Sequence, residues 1–586
     1  MTRARLGALL ALSVVSVLPF FVRPPYAVAQ EEPTLDKGVL IVLVPAVSFE
    51  ELLAFPEMRA LAAAGGAGFY HAPSHLERTL TEGFGSQVYP LPTGNVDLRL
   101  TIVKQGFGPA PAPLTELGVQ VRAKAEQFSV ERLLVVVAGV SRSPEMRADK
   151  DDQLPIIVGD GDPTRLFETP GVPVSLASDS TRRTGVVIED DVVPTIVAFE
   201  GGSVPGHPTP EAGDGSAIRF VSQAAPFSLH QRYLAQRRMS VPVGTAAALY
   251  VAAAGLLGVA FVARGDRVPT RWRRIAGWAT LSVPMLAAGL LAAGHLPELS
   301  YATAVPMVAI VTVFGTLAFS PLEQRDATLV PAGIGLAVLA YLALEAVLGW
   351  SGMLTPLVGG TQLDGGRFFG LPNIAIGLLV GSGLWVAQRL RTLGGVALLC
   401  GLGLFAGLPL VGSNLGGAVT AFAAAGLWLV ARERERLGTW KGRAAFLIVT
   451  TIGTAVVLLA HAVSPVATHI TRFESSVGGI SGVFGRYVDR LRVGFDLIAG
   501  SPAALIPVVG LPIALLVALR PPGPIRETFE RRPAWRDAVV VTMLSGIVAY
   551  LANDSGPAAA GIAFGMGLGG MLGVSLLSPA GKMVEP

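Results

Sequence analysis

The sequence predicts an α/β head in the first part of the chain, followed by an all-α polytopic transmembrane domain of about 11 helices. Three observations predict this architecture. The 586 residues are 51% hydrophobic with a mean hydropathy of +0.56, which is too apolar for a soluble protein. From residue 240 onward, apolar runs close to the ~20 residues that a bilayer requires alternate with arginine-rich loops. Upstream of that point the composition is that of an ordinary globular domain.

The first element is a predicted secretory signal peptide over residues 1–30. Arg3 and Arg5 give it a basic start, Leu6–Val22 is its apolar stretch, and Ala27-Val28-Ala29 is a small-residue cleavage site. The alternative is an uncleaved N-terminal anchor, and either interpretation places the head outside the cytoplasm. The single cysteine, Cys400, lies inside an apolar run, so we expect neither a disulfide framework nor a cysteine metal site.

The head, residues 31–235, is predicted to be an α/β domain. Val39–Val44, Leu133–Val137 and Leu154–Val158 are continuous apolar runs, which are typical of strands buried on both faces of a parallel sheet. A helix is predicted over Glu57–Ala64, where Gly65-Gly66 ends it. Domains of this kind usually carry their sites at the carboxyl ends of the strands.

Several of these segments resemble the alkaline phosphatase superfamily. The opening strand, followed by Ser48–Leu52 and Met58–Gly66, is similar to the first strand of that fold and the helix after it. Asp191-Val192-Val193-Pro194-Thr195 is similar to the Val-x-x-x-Asp-x-x-Pro-Thr segment of the superfamily. The resemblance, over residues 38–202, implies a fold that holds two divalent metals with Asp and His around a Ser or Thr nucleophile.

The metal ligands that this resemblance implies are missing from their expected positions. Pro45-Ala46 stands where the first metal-binding Asp is expected, and Ala138–Ser141 stands where an Asp-His pair is expected. Asp160 and Asp162 belong to a Gly-Asp-Gly-Asp-Pro string that is typical of a turn. We therefore expect a catalytically degenerate head without a metal cofactor; zinc or manganese is expected only if the head is active. No catalytic residue is predicted, and the remaining candidates are His71 and His75 as ligands and Ser86 and Thr93 as nucleophiles.

The second domain, residues 240–586, contains the predicted spans. Arginines concentrate in the loops on one side of these spans, and the bias towards positive cytoplasmic loops then places the head outside. Arg232, Arg237 and Arg238, just before the first span, oppose this orientation. We expect a multi-pass protein of the bacterial plasma membrane with an extracytoplasmic head and a cytoplasmic C-terminus. The predicted spans are 243–262, 275–293, 302–319, 329–348, 371–387, 394–410, 415–430, 444–463, 502–519, 538–552 and 558–577.

Polar residues near the spans collect on the side predicted to face outward. The densest segment is 359–373, whose five glycines permit exposed backbone amides to hold an anion beside Arg367. Alternatively, Arg367 pairs with Asp364 or Glu345 to fix a loop, and Asn414 caps a helix end. The candidate ligand-binding residues are Arg367, Asn373, Asp364, Asn414, His469, Arg472 and Glu345.

These segments also resemble a family of uncharacterised bacterial polytopic membrane proteins with an alkaline-phosphatase-like extracytoplasmic domain. Gly366–Asn373 is similar to its Gly-Arg-Tyr-x-Gly-x-x-Asn motif, Asn414–Gly417 to Asn-x-Gly-Gly, and Thr468–Arg472 to Ser-His-x-Gly-Arg. Ile374 and Thr471 depart from the pattern, where a Glu and a Gly are expected.

Together these features predict a cell-envelope membrane protein with an outward-facing polar pocket that binds an anionic or lipid-linked envelope component. The expected partners are a membrane lipid or lipid-linked glycan, together with an envelope protein that the head could recruit, and no nucleic acid. Two alternatives stay open: a metal-dependent lipid phosphoryl-group transferase, and a transporter or flippase of a lipid-linked sugar. The sequence leaves open whether the protein is an enzyme.

Overall fold

A computed structural model describes residues 37–45, 49–71, 99–104, 117–128, 130–140, 153–168, 174–178, 186–188, 191–199, 217–221, 226–358, 369–464, 502–553 and 556–578. The predicted signal peptide lies outside these residues. Within them, a mixed sheet with flanking helices precedes a long series of apolar helices.

The head is built on a sheet with eight described strands in the order β3-β1-β4-β5-β2-β6-β8, and β7 pairs with β2. Four described helices accompany the sheet, namely α1 (Phe49–Ala54), α2 (Pro56–Ala64), α3 (Leu117–Ala125) and α4 (Val192–Phe199). The strands are β1 (Lys37–Pro45), β2 (Gly66–His71), β3 (Arg99–Lys104), β4 (Arg132–Val140), β5 (Gln153–Gly161), β6 (Ser175–Ala177), β7 (Val186–Ile188) and β8 (Arg219–Val221).

The three predicted strands and the predicted helix are present as β1, β4, β5 and α2. β1 lies parallel to both β3 and β4, but β5 runs antiparallel to β4. The expectation of a parallel sheet is therefore wrong for β5. A continuous apolar run reports burial on both faces, which a central strand has whichever way it runs, so the pattern alone does not give the direction. Leu40, Val135, Ile157 and Leu61 of α2 are fully buried in the core of the head.

The remainder of the described chain is helical and apolar. Among the described residues, seven helices are long and apolar enough to cross a membrane, which is consistent with a multi-pass membrane protein. The helices are α5 (Pro226–Arg264), α6 (Thr270–Leu281), α7 (Val283–Ala292), α8 (Tyr301–Leu317), α9 (Ser320–Glu323), α10 (Leu329–Val347), α11 (Asn373–Ala387), α12 (Thr392–Gly407), α13 (Leu415–Arg432), α14 (Arg434–Ala462), α15 (Pro502–Leu519), α16 (Gly523–Arg531), α17 (Pro533–Ala552) and α18 (Gly556–Leu577).

Each of the predicted spans coincides with one of these apolar segments. In the described chain seven are single long helices, and α6 with α7 forms a further candidate span that is bent by 42°. Pro284 lies in the first turn of α7, where its ring is accommodated but cannot continue the hydrogen bonding of α6. Three more segments, namely α11, α12 and residues Val509–Leu519 of α15, are apolar but shorter.

The glycine-rich helix α18 lies at the centre of the membrane domain. In its most apolar stretch 83% of the residues are buried, and it contacts α6, α11, α15 and α17. A Cβ atom on Gly569 would lie 2.4 Å from the Thr280 carbonyl oxygen, and one on Gly377 would lie 2.4 Å from the Ala559 carbonyl oxygen. Small residues at these positions let helix backbones approach closely, which stabilises packing in lipid.

The first membrane helix joins the head to the membrane domain. α5 begins at Pro226, well before the apolar segment, and its Tyr233 packs against Val186 of β7. Gln231 of α5 donates a hydrogen bond to Glu50 of α1 at 3.2 Å. We call the end of the membrane domain that adjoins these contacts the head-side end, and the opposite end the arginine end.

Candidate functional site

A fully buried carboxylate lies at the head-side end. Glu345, on the last turn of α10, is 0% exposed, and its Oε1 contacts Nε2 of His295. The backbone N–H of Gly352 donates to Oε2 of the same carboxylate at 3.2 Å. The His295 side chain stays 35% exposed. An ionisable group inside a membrane domain is costly unless it is paired, and here the pair connects the interior to an accessible imidazole.

Two 3₁₀ turns pack back to back to form this pair. The turn Ala293–His295 follows α7, and the turn Ser351–Met353 follows α10. A Cβ atom on Gly294 would lie 1.7 Å from the Gly352 carbonyl oxygen, and one on Gly352 would lie 2.3 Å from Nε2 of His295. A side chain at Gly294 would therefore meet the backbone of the other turn, and one at Gly352 would displace the His295–Glu345 pair.

Arg232 of α5 binds the first of these turns and the chain just after the second. Its guanidinium donates to the Gly294 carbonyl oxygen and, at 3.3 Å, to the Thr355 hydroxyl. Carbonyl groups at the end of a helical segment have no partner within that segment, so this contact satisfies one of them. One of the arginines that oppose the predicted orientation is thus held against the backbone.

A second group of buried contacts is centred on Asn414, which is 0% exposed. Its Oδ1 accepts a hydrogen bond from the Gly417 N–H at 2.8 Å and so caps the start of α13. Its Nδ2 donates to the Leu371 carbonyl oxygen at 2.8 Å and to Oδ1 of Asn373 at 3.0 Å. Two of the predicted site residues are therefore in contact, and Asn414 fixes the end of segment 359–373 as well as capping a helix.

Close backbone contacts hold this loop in place. Gly370 has φ +98°, and a Cβ atom there would lie 2.1 Å from the Gly412 carbonyl oxygen. The Leu371 N–H donates to the same oxygen at 2.7 Å. Gly416 approaches Asn553 so closely that a Cβ atom would lie 2.2 Å from its Oδ1. The Gly-Gly pair after Asn414 thus serves close packing and helix capping.

Trp350 links the two groups of contacts. Its backbone N–H donates to the Glu345 carbonyl oxygen at 2.6 Å, and its indole Nε1 donates to the Val411 carbonyl oxygen at 2.6 Å. The side chain is fully buried. We define the head-side polar cluster as the set of linked residues Arg232, His295, Glu345, Asn373 and Asn414.

Four of the predicted site residues, Asp364, Arg367, His469 and Arg472, lie outside the described residues, so their places stay predictions. His461, at the end of α14, is 2% exposed with Nε2 2.8 Å from the Gly407 carbonyl oxygen, the geometry of a packing residue.

The sequence analysis missed His295. It is a single histidine in a short predicted loop, and its partner Glu345 lies 50 residues later in the chain. The available signal was Glu345 itself, because a carboxylate within an apolar run requires a partner. That requirement does not identify which residue supplies the partner.

In the head, the structure gives the surroundings of Pro45, which stands at an expected metal position, and of the two aspartates Asp160 and Asp162. Pro45 of β1 lies beside Val140 of β4 at the adjacent carboxyl ends of these strands. Asp160 forms a two-point ion pair with Arg132 at 2.8 and 2.7 Å. Asp162 accepts hydrogen bonds from the Thr164 hydroxyl and N–H, which hold the pKa of its carboxyl below the ordinary value. Among the described residues, no group of three His, Cys, Asp or Glu side chains could hold a metal ion.

Ion pairs connect separate helices at the arginine end. Asp326, before α10, lies 3.1 Å from Arg389 and 3.3 Å from Arg532. Its carboxylate also accepts from the Thr328 N–H at 3.0 Å and the Thr328 hydroxyl at 2.9 Å. Burial raises the pKa of Asp326, but these hydrogen bonds and the two arginine charges outweigh it, so the pKa lies below its ordinary value.

Comparison with protein-family models, with curated proteins and with solved structures found no match to this chain. A function must therefore be argued from the geometry described above.

Proposed function

We propose that the protein binds an anionic or lipid-linked component of the cell envelope at the head-side end of its membrane domain. The observation that most supports this is the head-side polar cluster, in which the fully buried Glu345 and Asn414 hold the loops around segment 359–368. Buried polar groups in a membrane protein are costly and usually mark functional sites.

Backbone hydrogen bonds hold the described residues on both sides of the glycine-rich segment. On one side the Leu357 N–H donates to the Leu290 carbonyl oxygen at 3.2 Å, and on the other the Leu371 N–H donates to the Gly412 carbonyl oxygen at 2.7 Å. In the sequence, residues 359–368, which include Arg367, come between these two positions. The guanidinium of Arg367 suits a carboxylate or phosphate, because its N–H groups match two oxygens at once.

The existing contacts of Asn414, Glu345 and Arg232 make them positioning residues in this proposal. Asn414 has all its polar atoms in hydrogen bonds within the protein, and both Glu345 oxygens are engaged. The partly exposed imidazole of His295 and the guanidinium of Arg367 are then the groups proposed to meet the ligand. The head, which contacts α5 next to Arg232, would cover this end or recruit an envelope partner.

The test is native mass spectrometry of the detergent-purified full-length protein, comparing the wild type with Arg367→Ala. Arg391→Ala is the matched control, because it removes the same side chain from an exposed position at the arginine end. We expect a bound phospholipid or polyprenyl-linked species in the wild type and the control, and its loss in Arg367→Ala. Equal retention in all three proteins would contradict the proposal. Bound zinc or manganese without such a lipid would favour the phosphoryl-transferase alternative.

A further inference from the structure

A cavity of about 850 Å³ opens at the arginine end of the membrane domain. It lies where α13 ends and α14 begins, beside the end of α15, the helix α16 and the start of α17. Its size falls within the ~300–1,000 Å³ of pockets that hold small ligands or headgroups. It is separate from the head-side polar cluster, because α13 runs from Asn414 at one end to Arg432 at the other.

The lining of this cavity has a surplus of positive charge. Four carboxylates line the cavity. Two of them form ion pairs with lining arginines: Asp537 with Arg432 at 3.1 Å and Glu433 with Arg436 at 3.3 Å. The other two carboxylates are Glu435 and Glu530. The remaining four arginines of the lining form no ion pair with a carboxylate in the described part of the chain; they are Arg434, Arg520, Arg526 and Arg536. The six arginines of the lining are Arg432, Arg434, Arg436, Arg520, Arg526 and Arg536.

Outside the cavity, some arginines at this end are paired with carboxylates, as Arg274 is with Glu323 at 2.9 Å. In the cavity, six arginines from four helices and the end of α15 outnumber the four carboxylates by two, and a bound anion would offset this excess positive charge. Arg432 is also held in place, with its guanidinium carbon 5.7 Å from the Trp428 ring centroid, while its buried Nε has no hydrogen-bond partner. The contacts with Trp428 and Asp537 fix this guanidinium at the cavity wall, and a fixed guanidinium is preorganised for an oxyanion.

We infer that this cavity binds a phosphate group. Planar guanidinium groups match phosphate oxygens with two hydrogen bonds each, which compact ammonium groups do not. Phe529 and Leu519 form one apolar wall of the cavity. Leu519, at the end of α15, is 46% exposed. Basic pockets between membrane helices bind anionic lipid headgroups in this way. A soluble phosphate compound presents the same chemistry, so the experiment must separate the two sources.

The test compares the full-length protein with Arg520→Gln/Arg526→Gln. Both side chains are exposed and form no ion pair with a described residue, so folding should be preserved. Arg264→Gln/Arg267→Gln removes the same charge from exposed positions outside the cavity and is the control. One arm measures retention of added phosphatidylglycerol by native mass spectrometry. The other measures binding of inorganic pyrophosphate by calorimetry.

For the cavity variant we expect binding in one arm to weaken by about tenfold or more, since each arginine supplies a charge-assisted hydrogen bond. The control should bind as the wild type does. Loss in the lipid arm identifies a membrane headgroup, and loss in the pyrophosphate arm alone identifies a soluble phosphate. Equal weakening in both variants, or no binding in either arm, would overturn the inference. The result is independent of the Arg367→Ala experiment, because the cavity and the head-side polar cluster lie at opposite ends of α13.

Discussion

Replacing Asn414 tests how the head-side polar cluster is held together. The side chain is fully buried, caps α13 through the Gly417 N–H and binds the Leu371 carbonyl oxygen. Loss of a helix N-cap costs about 1 kcal/mol, and a buried acceptor left without a donor costs about 1–3 kcal/mol. Hydrogen bonds between membrane helices average only ~0.6 kcal/mol, which favours the lower part of that range. We therefore expect Asn414→Ala to destabilise the protein by about 2–3 kcal/mol.

Thermal unfolding in detergent at one fixed scan rate measures this effect, because comparison at equal rate remains valid for irreversible unfolding. The expected result is an apparent Tm several degrees below that of the wild type for Asn414→Ala. Asn414→Ser keeps a capping oxygen for Gly417 but has no donor that reaches Leu371, so its Tm should lie in between. Asn373→Ala removes the 3.0 Å contact with Asn414 and leaves both the helix cap and the Leu371 hydrogen bond in place, so it separates that contact from the other two. If Asn414→Ala unfolds at the wild-type temperature, or Asn414→Ser is no better than Asn414→Ala, the reasoning fails.

Three further predictions concern other buried or paired groups. Glu345→Gln should destabilise by about 1–3 kcal/mol in the same assay, because an amide cannot accept from both His295 and the Gly352 N–H; an unchanged Tm would refute this. Gly352→Ala should lower the Tm because its Cβ would lie 2.3 Å from the imidazole, whereas Gly401→Ala, with no atom within 4 Å, should be neutral or stabilising. Since the folded-state pKa of Asp326 is lowered, its ion pairs stabilise the protein above the unfolded value of about 3.8 and stop doing so as the pH falls through the folded pKa. The Tm difference between wild type and Asp326→Asn should therefore be present at about pH 6 and shrink below about pH 4; a constant difference would contradict it.

The features best predicted from the sequence are those that depend only on whether a segment itself is buried or lies in lipid. The long apolar helices were predictable because a helix in hydrocarbon must satisfy its own backbone and be apolar throughout. The strand β1 was predictable because burial on both faces requires a continuous apolar run. The direction of β5 and the 42° bend between α6 and α7 depend on neighbouring elements. No local pattern encodes either one.

The head-side polar cluster shows the same limit at a finer scale. Asn414 stood out because an asparagine between two apolar runs suggests a helix cap, and the structure confirms that role. The pairing of Glu345 with His295 was not predictable, because it depends on two turns that touch only through Gly294 and Gly352. The spacing of these residues along the sequence does not indicate that the two turns are in contact.

The contacts of Arg232 also bear on the orientation of the chain. Counting loop charges assumes that every arginine near a span faces water, and Arg232 then opposes an extracytoplasmic head. Its guanidinium instead donates to the Gly294 carbonyl and the Thr355 hydroxyl within the head-side end. An arginine bound in this way is part of the packing and carries little weight as a loop charge. Discounting it increases the contrast with the arginine end, where guanidinium groups outnumber carboxylates around an open cavity. The orientation with the head outside stays a prediction, but Arg232, which opposed it, is accounted for by its contacts within the protein.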